Sequence, residues 1–145
     1  MPKFPPTPDQ ARAIYERGGN LLVAASAGSG KTTVMIERVL SLLSEGVGLD
    51  RMVICTFTRA AAADMREKLT NKLIEAEEEG SSWASEALKK LPLAEISTIH
   101  SWCQRLIRNY FYAIDADPAF EIADESESRS WLIESANEAI EEAID

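Results

Sequence analysis

Histidine and cysteine are scarce in this sequence of 145 residues, which holds one histidine and two cysteines. The cysteines, Cys55 and Cys103, sit inside apolar patterns and form no CxxC pair. A zinc site or a redox centre is therefore disfavoured, because no cluster of ligands forms. We expect both cysteines to be buried free thiols in a reducing compartment, with the cytoplasm as the default location.

Long apolar runs are also missing. No stretch approaches the roughly 20 apolar residues that a membrane-spanning helix needs, and the first six residues contain no apolar run like that of a secretory leader. Hydrophobic residues nevertheless make up 46% of the chain, which is enough for a real core. The length and composition together predict one ordinary folded domain.

Positive charge is in short supply, and the net charge is −9. This balance argues against a simple basic DNA-binding module. Residues 115–145 hold eleven acidic residues against one arginine, whereas residues 1–114 hold thirteen against fourteen Lys and Arg. We interpret the acidic end as a solvated helix face. The near-neutral front part could present a local basic face.

Helices and strands are predicted to alternate along the chain. Short apolar runs predict buried strands at 20–25, 52–57 and 94–98, with a smaller candidate at 120–123. Helical spacing predicts helices at about 31–45, 59–79, 83–91, 100–113 and 128–145. This order predicts an α/β fold in which helices flank a parallel sheet. The last helix has no stop signal, so we expect a piece of a longer protein.

The first helix has clear boundary signals. Thr7 is predicted to be its N-cap, Pro8 its first residue and Gln10 the N3 partner of a capping box, with an end at Gly18–Gly19. Further along, the pattern predicts that the following side chains are buried on helices: Val34, Ile36, Val39, Leu40, Leu43, Met65, Leu69, Leu73, Trp102 or Cys103, Leu106, Ile107 and Tyr110.

Residues 25–32 fit the Walker A pattern, except that Ala25 stands at its first position in place of glycine. Gly28 and Gly30 allow a tight turn that brings backbone N–H groups against phosphate oxygens. The following helix N-terminus adds partial positive charge. Lys31 can reach the β- and γ-phosphates, and the Thr32 hydroxyl can hold Mg²⁺. The pattern between an apolar run and an amphipathic helix predicts a nucleoside triphosphate site.

Hydrolysis also needs an acid that holds the metal. The only candidate pair is Asp124-Glu125, which follows an apolar run that Glu121 interrupts. We interpret this pair as the start of an acidic surface turn, and a Walker B role remains the alternative.

Three further segments carry a family resemblance. Residues 56–65 resemble motif Ia of superfamily 1 helicases of the UvrD/Rep type, residues 96–103 resemble their motif Ib, and residues 7–10 resemble their Q motif. Residues 107–127 look most like the A chain of the two-subunit ATP-dependent helicase/nuclease, the AddA/RexA type. The resemblance covers nearly the whole chain. It implies that residues 1–145 are the N-terminal part of a RecA-like P-loop domain 1A, with the acidic helix from about 126.

The resemblance implies a site for ATP and Mg²⁺. Gln10 would contact the adenine, although its alternative role in the capping box cannot be filled at the same time. Lys31 and Thr32 would be the catalytic pair, with Thr32 as the Mg²⁺ ligand. The implied nucleotide-binding residues are Gln10, Ala25, Ser26, Ala27, Gly28, Ser29, Gly30, Lys31, Thr32 and Thr33.

The resemblance also implies a track for single-stranded DNA, formed by Thr56, Phe57, Thr58, Arg59, Thr98, His100 and Ser101. Hydroxyl groups suit phosphates and an aromatic ring suits base stacking. Arg59 stands where Asn is common in relatives, so its contact would go to phosphate. The alternatives are a core role for Phe57 and a structural role for His100. Arg105 and Arg108 are better interpreted as a solvated helix face.

We expect the parent protein to be an ATP-driven 3′-to-5′ DNA helicase coupled to a nuclease. It would process double-strand DNA ends for recombinational repair, with an AddB/RexB-type second subunit. The chain alone is expected to be inactive, because the other helicase motifs and the nuclease domain lie downstream in this family. The alternatives are a stand-alone UvrD/PcrA-type repair helicase and a silent nucleotide-binding module. A small P-loop kinase is disfavoured, because nothing here resembles a phosphoacceptor site.

Overall fold

The computed structural model describes residues 5–26, 28–117 and 119–144. They divide into two compact units, one up to Gln104 and the other from Arg105 onward. In chain order, the elements are α1 (Pro8–Tyr15), α2 (Lys31–Ser44), β1 (Val53–Thr56), α3 (Arg59–Glu78), α4 (Ser82–Lys90), β2 (Glu95–Thr98), α5 (Ile99–Tyr110) and α6 (Glu125–Ile144). In the described part of the chain, the fold is helix-rich with a small parallel sheet.

Helix α1 begins with the capping box that the sequence predicts. Oγ1 of Thr7 accepts a hydrogen bond from the N–H of Gln10 (3.3 Å), and Oε1 of Gln10 accepts one from the N–H of Thr7 (2.9 Å). Pro8 follows the cap, where a missing N–H costs nothing. The helix ends at Tyr15, earlier than the predicted Gly18–Gly19, because Glu16 already has an extended backbone.

Helix α2 begins at Lys31 as predicted and ends at Ser44, one residue before the predicted end. Its C-terminus is closed by Gly46, which has a left-handed φ of 89°. The N–H of Gly46 donates to the carbonyl of Leu43 (3.0 Å), and the N–H of Val47 donates to that of Leu42 (3.0 Å). Glycine terminates the helix because it adopts this conformation without strain.

The two strands lie within the predicted runs at 52–57 and 94–98. They pair in parallel, with Val53 opposite Glu95 and Thr56 opposite Thr98. Helices α3 and α4 form the crossover between them, as parallel pairing requires. Parallel pairing therefore places the carboxyl ends of β1 and β2, and the residues that follow them, at one edge of the sheet.

The core of the first unit is formed by α2, α3, α4 and the two strands. Helix α3 contributes Met65, Leu69 and Leu73, which are buried as their spacing predicts. Helix α2 contributes Ile36, Val39 and Leu43 from the predicted set, whereas Val34 and Leu40 are only half-buried. Each fully buried leucine stabilises the fold by roughly 1.5–3 kcal/mol. The helical patterns of the front part therefore identify most of the core.

Arg66 adds a polar tie between α3 and the sheet. Its Nη1 donates to the carbonyl of Leu91 (2.9 Å) and its Nη2 donates to that of Ala94 (3.0 Å). These carbonyls belong to the turn before β2, which has a short 3₁₀ segment at Leu91–Leu93. Since charged donors form stronger hydrogen bonds, this tie holds the entry to β2 against α3.

Two of the predicted strands are wrong. Residues 20–25 are not part of the sheet, and their apolar side chains are exposed, with Leu22 exposed to 94%. A strand needs a neighbouring backbone for its hydrogen bonds, and β1 and β2 pair only with each other among the described residues. Residues 120–123 also form no strand; this run is short, and Glu121 interrupts it.

Helices α5 and α6 are more exposed than the sequence predicts. Trp102 and Ile107 are half-buried, but Cys103, Leu106 and Tyr110 are exposed. Helix α5 ends at Tyr110, and the predicted extension to 113 is a 3₁₀ turn. Apolar spacing tells which residues share a face, but burial needs a second layer on that face, which the described residues do not provide. The burial predicted for α5 is therefore wrong at those three positions.

Both thiols are free, but neither is fully buried. Cys55 is half-buried in β1, and Cys103 is exposed on α5. The prediction of two buried thiols is therefore wrong for Cys103 and holds only in part for Cys55. None of the described helices has both the length and the apolar character needed to cross a membrane.

Candidate nucleotide-binding loop and nucleic-acid edge

The loop between residues 25 and 30 has the backbone that its glycines suggest. Gly28 and Gly30 have φ values of 78° and 80°. Residues with a Cβ rarely adopt this left-handed conformation, so both positions require glycine. Ala27 belongs to the predicted set and lies outside the described residues. The loop thus turns twice in a few residues and delivers the chain into α2.

The N-terminus of α2 is left open by this turn. Gly30 is the N-cap residue, so no side chain caps the helix, and no acidic residue lies in the first turn. The N–H groups of the first turn have no partner within the helix, and they carry its partial positive charge. Thr32 is half-buried and Thr33 is exposed in this turn. The arrangement favours an anionic group.

Lys31 folds back over the loop. Its Nζ donates to the carbonyl of Ala25 (2.8 Å) and to that of Ser26 (2.6 Å). The Ser26 carbonyl also accepts from Oγ of Ser29 (2.8 Å). The ammonium group therefore stays exposed beside the open helix N-terminus, held by neutral acceptors. A phosphate oxygen would be a stronger acceptor, because it carries charge.

Gln10 reaches the same loop from α1. Its Nε2 donates to the carbonyl of Ser29 (3.3 Å) while its Oε1 completes the capping box. Of the two roles that the sequence left open for Gln10, the structure shows the cap. The contact with adenine stays a prediction.

A cleft of about 590 Å³ adjoins the loop. Its walls come from α1, residues 19–25, the loop and α2, and they include Gln10, Leu21, Ser29, Lys31 and Arg38. This volume is typical of small-molecule sites. Sequence reasoning missed Arg38, whose Nη1 donates to the carbonyl of Ala13 (2.7 Å). The available signal was its position seven residues after Lys31, two turns along the same helix face.

The second set of predicted residues follows the two strands at one edge of the sheet. Phe57 is 97% exposed directly after β1. The alternative that Phe57 ends the strand inside the core is therefore wrong. Arg59 and His100 are also exposed at the starts of α3 and α5. These three side chains are accessible to a ligand along this edge.

The hydroxyl groups of this edge have local partners. Oγ1 of Thr58 accepts from the N–H of Ala61 (3.1 Å) and caps α3. Oγ1 of Thr98 accepts from the N–H of Ser101 (3.1 Å) and donates to its Oγ (2.9 Å), at the start of α5. Thr56 donates to the carbonyl of Thr58 (2.9 Å). Thr98 is 7% exposed, so its first role here is structural.

Asp124 caps α6. Its Oδ1 accepts from the N–H of Glu127 (2.8 Å), and Oε2 of Glu127 accepts from the N–H of Asp124 (3.0 Å). This reciprocal pair is a capping box. The interpretation of Asp124-Glu125 as a surface turn fits this contact, and Glu125 is the first residue of the helix. In the same unit, the Arg108 guanidinium lies 5.6 Å from the Phe120 ring centroid.

The comparison with known families agrees with this geometry. The family described as "UvrD/REP helicase N-terminal domain" matches residues 6–144. The chain belongs to this family. Within the matched region lie the glycine loop, the open helix N-terminus and the sheet edge described above.

Curated relatives are named as the first of the lettered subunits of an ATP-dependent helicase/nuclease. The protein of Levilactobacillus brevis is 48% identical over 87% of this chain, and that of Limosilactobacillus reuteri subsp. reuteri is 41% identical over 99%. The protein of a Thermoanaerobacter species is 43% identical over 94%. These matches cover only 10%, 11% and 11% of the relatives' lengths. The chain therefore spans about a tenth of the proteins that it resembles.

Proposed function

We propose that this chain is the ATP-binding front part of an ATP-dependent DNA helicase/nuclease subunit. The observation that carries the proposal is the pair of left-handed glycines, Gly28 and Gly30, leading into an uncapped helix N-terminus beside Lys31. Family membership over residues 6–144 supports the same conclusion. In the complete protein, this region would form part of a RecA-like P-loop domain, with residues 20–25 pairing as a strand.

The loop would bind the triphosphate of ATP in two steps. Phosphate oxygens would accept hydrogen bonds from the N–H groups of the loop and the first turn of α2, the set drawn from 25–33. Lys31 would then exchange the carbonyls of Ala25 and Ser26 for a phosphate oxygen. The exchange is favourable because a charged acceptor replaces neutral ones.

Thr32 would hold Mg²⁺ through its hydroxyl. The donor set fits a hard cation, since Mg²⁺ prefers oxygen ligands and takes its remaining ligands from phosphates and water. When bound, the ion would neutralise charge on the phosphates. Thr32 lies one residue after Lys31 and is half-buried in the first turn of α2, so its position is fixed by the helix.

Single-stranded DNA would lie along the sheet edge. Phe57 would stack on a base, while Arg59, His100 and the hydroxyl groups of Thr56, Thr58, Thr98 and Ser101 would face phosphates. Nucleotide-driven stepping in the 3′-to-5′ direction would serve the repair of double-strand breaks. The relatives are named as one subunit of an enzyme, which supports a second subunit, and we propose the AddB/RexB type for it. We place the complete protein in the cytoplasm.

A second function is supported for the 145-residue chain by itself. Asp124, the first residue of the only acid pair that the sequence offered for Mg²⁺, is engaged in capping α6. We therefore propose that the chain alone binds ATP without hydrolysing it. Measurable turnover by the chain would contradict this second proposal.

The main proposal is tested by titrating a fluorescent ATP analogue with and without Mg²⁺. We expect Lys31→Ala to weaken binding at least tenfold, because one charge-assisted contact is worth about 1.5–3 kcal/mol. We expect Thr32→Ala to remove the gain from Mg²⁺ and little else. In the complete protein, Lys31→Ala should abolish the DNA-stimulated ATPase activity.

The matched control is Lys89→Ala, which removes an exposed lysine near the end of α4. It should leave binding unchanged. Equal affinity of the unsubstituted chain and of Lys31→Ala would overturn the proposal.

A further inference from the structure

A chain of hydrogen bonds connects α1 to Lys31. Nε2 of Gln10 donates to the carbonyl of Ser29 (3.3 Å), and Oγ of Ser29 donates to the carbonyl of Ser26 (2.8 Å). That carbonyl also accepts from Nζ of Lys31 (2.6 Å). Two side chains and two carbonyls thus separate the first turn of α1 from the lysine of the loop.

Gln10 is well placed to fix the loop rather than only to contact a base. Its Oε1 is held by the N–H of Thr7, so the amide group is oriented by the capping box. A Cβ built on Gly30 would lie 3.6 Å from Nε2 of Gln10, so the amide packs against the last glycine of the loop. Gln10 is half-buried in this position.

We propose that Gln10 is a positioning residue for the phosphate-binding loop. Through Ser29 and Ser26, it holds the loop in the conformation that presents its N–H groups to the triphosphate. This role adds to any contact with the base, and it rests on the ATP site proposed above. A residue that acts on the loop affects every triphosphate, whereas one that contacts only adenine affects ligands that carry a base.

Inorganic tripolyphosphate separates the two roles, because it has the phosphate tail of ATP and no base. The affinities of ATP and of tripolyphosphate are measured by calorimetry for the unsubstituted chain and for Gln10→Met, which has a similar shape and no charge. We expect Gln10→Met to weaken both ligands by about threefold to tenfold, the usual effect of one hydrogen bond.

The matched control is Thr7→Val. Each variant removes one of the two capping-box hydrogen bonds, but only Gln10→Met also removes the contact with Ser29. Thr7→Val should therefore leave both affinities close to those of the unsubstituted chain. Amide hydrogen exchange in the ligand-free chain gives a second readout: residues 25–31 should exchange severalfold faster in Gln10→Met and not in Thr7→Val.

The outcomes are distinct. If Gln10→Met weakens ATP alone, or neither ligand, or if Thr7→Val has the same effect, the positioning role is overturned. If the unsubstituted chain binds neither ligand, the proposed nucleotide site fails instead. Hydrogen exchange then decides the positioning role by itself: unchanged exchange at 25–31 in Gln10→Met overturns it, and faster exchange supports it.

Discussion

Phe57 presents an aromatic ring to solvent immediately after β1, with 97% of its surface exposed. An exposed ring contributes little to folding, so a ligand is the reason for it that can be tested. We expect Phe57→Ala in the complete protein to weaken binding of single-stranded oligothymidylate by roughly tenfold, since base stacking is worth about 1–3 kcal/mol. Fluorescence anisotropy measures the affinity.

The control for this experiment is Tyr15→Ala, which removes another exposed aromatic ring, at the end of α1. It should leave DNA affinity unchanged. A Phe57→Ala variant that binds the oligonucleotide as well as the unsubstituted protein would remove Phe57 from the proposed track.

Glu45 and Arg17 form a residue pair with a defined pH response. Nη2 of Arg17 donates to Oε1 of Glu45 (2.7 Å), and this hydrogen bond lowers the pKa of Glu45 below its ordinary value of 4.5. A carboxyl group whose pKa is lowered by folding stabilises the fold above its ordinary pKa, and the contribution is lost as the pH falls through the lowered value. We expect Arg17→Gln to raise the pKa of Glu45, as measured by NMR titration.

Urea unfolding from pH 6 downward should show the same effect, with a shallower loss of stability below about 4.5 in Arg17→Gln than in the unsubstituted chain. Arg12→Gln serves as the control, because Arg12 pairs with Glu16 instead. A pKa of Glu45 that does not change in Arg17→Gln would contradict this account.

Sequence reasoning succeeded at single residues where a side chain type is dictated by the backbone. The glycines at 28 and 30 were identifiable because a left-handed φ excludes most other residues. The capping role of Thr7 followed from spacing alone. Arg38 was missed because its place in the cleft depends on where α1 and residues 19–25 lie relative to α2.

At the scale of elements, α3 and α6 offer a direct comparison. They are both 20 residues long, yet Leu73 on α3 is 0% exposed and Leu132 on α6 is 70% exposed. We expect Leu73→Ala to lower the free energy of unfolding by about 2–5 kcal/mol, because it leaves a cavity in the core. Chemical denaturation measures the loss.

Leu132→Ala is the matched control, since it makes the same change on an exposed helix. We expect it to alter the free energy of unfolding by less than about 0.5 kcal/mol. Similar losses in the two variants would mean that Leu132 is buried in solution.

The elements themselves were predictable to different degrees. Helices α2 and α3 were located to within a residue, because apolar periodicity and the Gly30 and Thr58 boundaries are local signals. Residues 20–25 were predicted as a strand and are not one, because pairing depends on a neighbour that can be far away in sequence. The same apolar composition therefore gives a strand at 53–56 and an unpaired segment at 20–25.

At the scale of the whole molecule, exposed apolar side chains coexist with a net charge of −9. Large exposed apolar patches promote association, while net charge opposes it by repulsion. Salt screens that repulsion over about 10 Å at 0.1 M. We expect the isolated chain to associate more strongly as salt concentration rises, as measured by sedimentation velocity.

A variant gives the control for this prediction: Leu22→Lys, at the 94% exposed position beside the loop, should reduce association. A chain that stays monomeric at every salt concentration would show that these side chains do not act together as a patch.

The parallel pairing of Thr56 with Thr98 fixes a length that any bound strand must match. Neighbouring strands are about 4.8 Å apart, whereas phosphates of one DNA strand succeed one another about every 3.4 Å along a duplex axis. The two strand ends therefore make a ruler that spans one or two nucleotides. A grip of this width cannot by itself count out a longer stride, so travel along DNA would come from moving this ruler as a unit against another part of the enzyme.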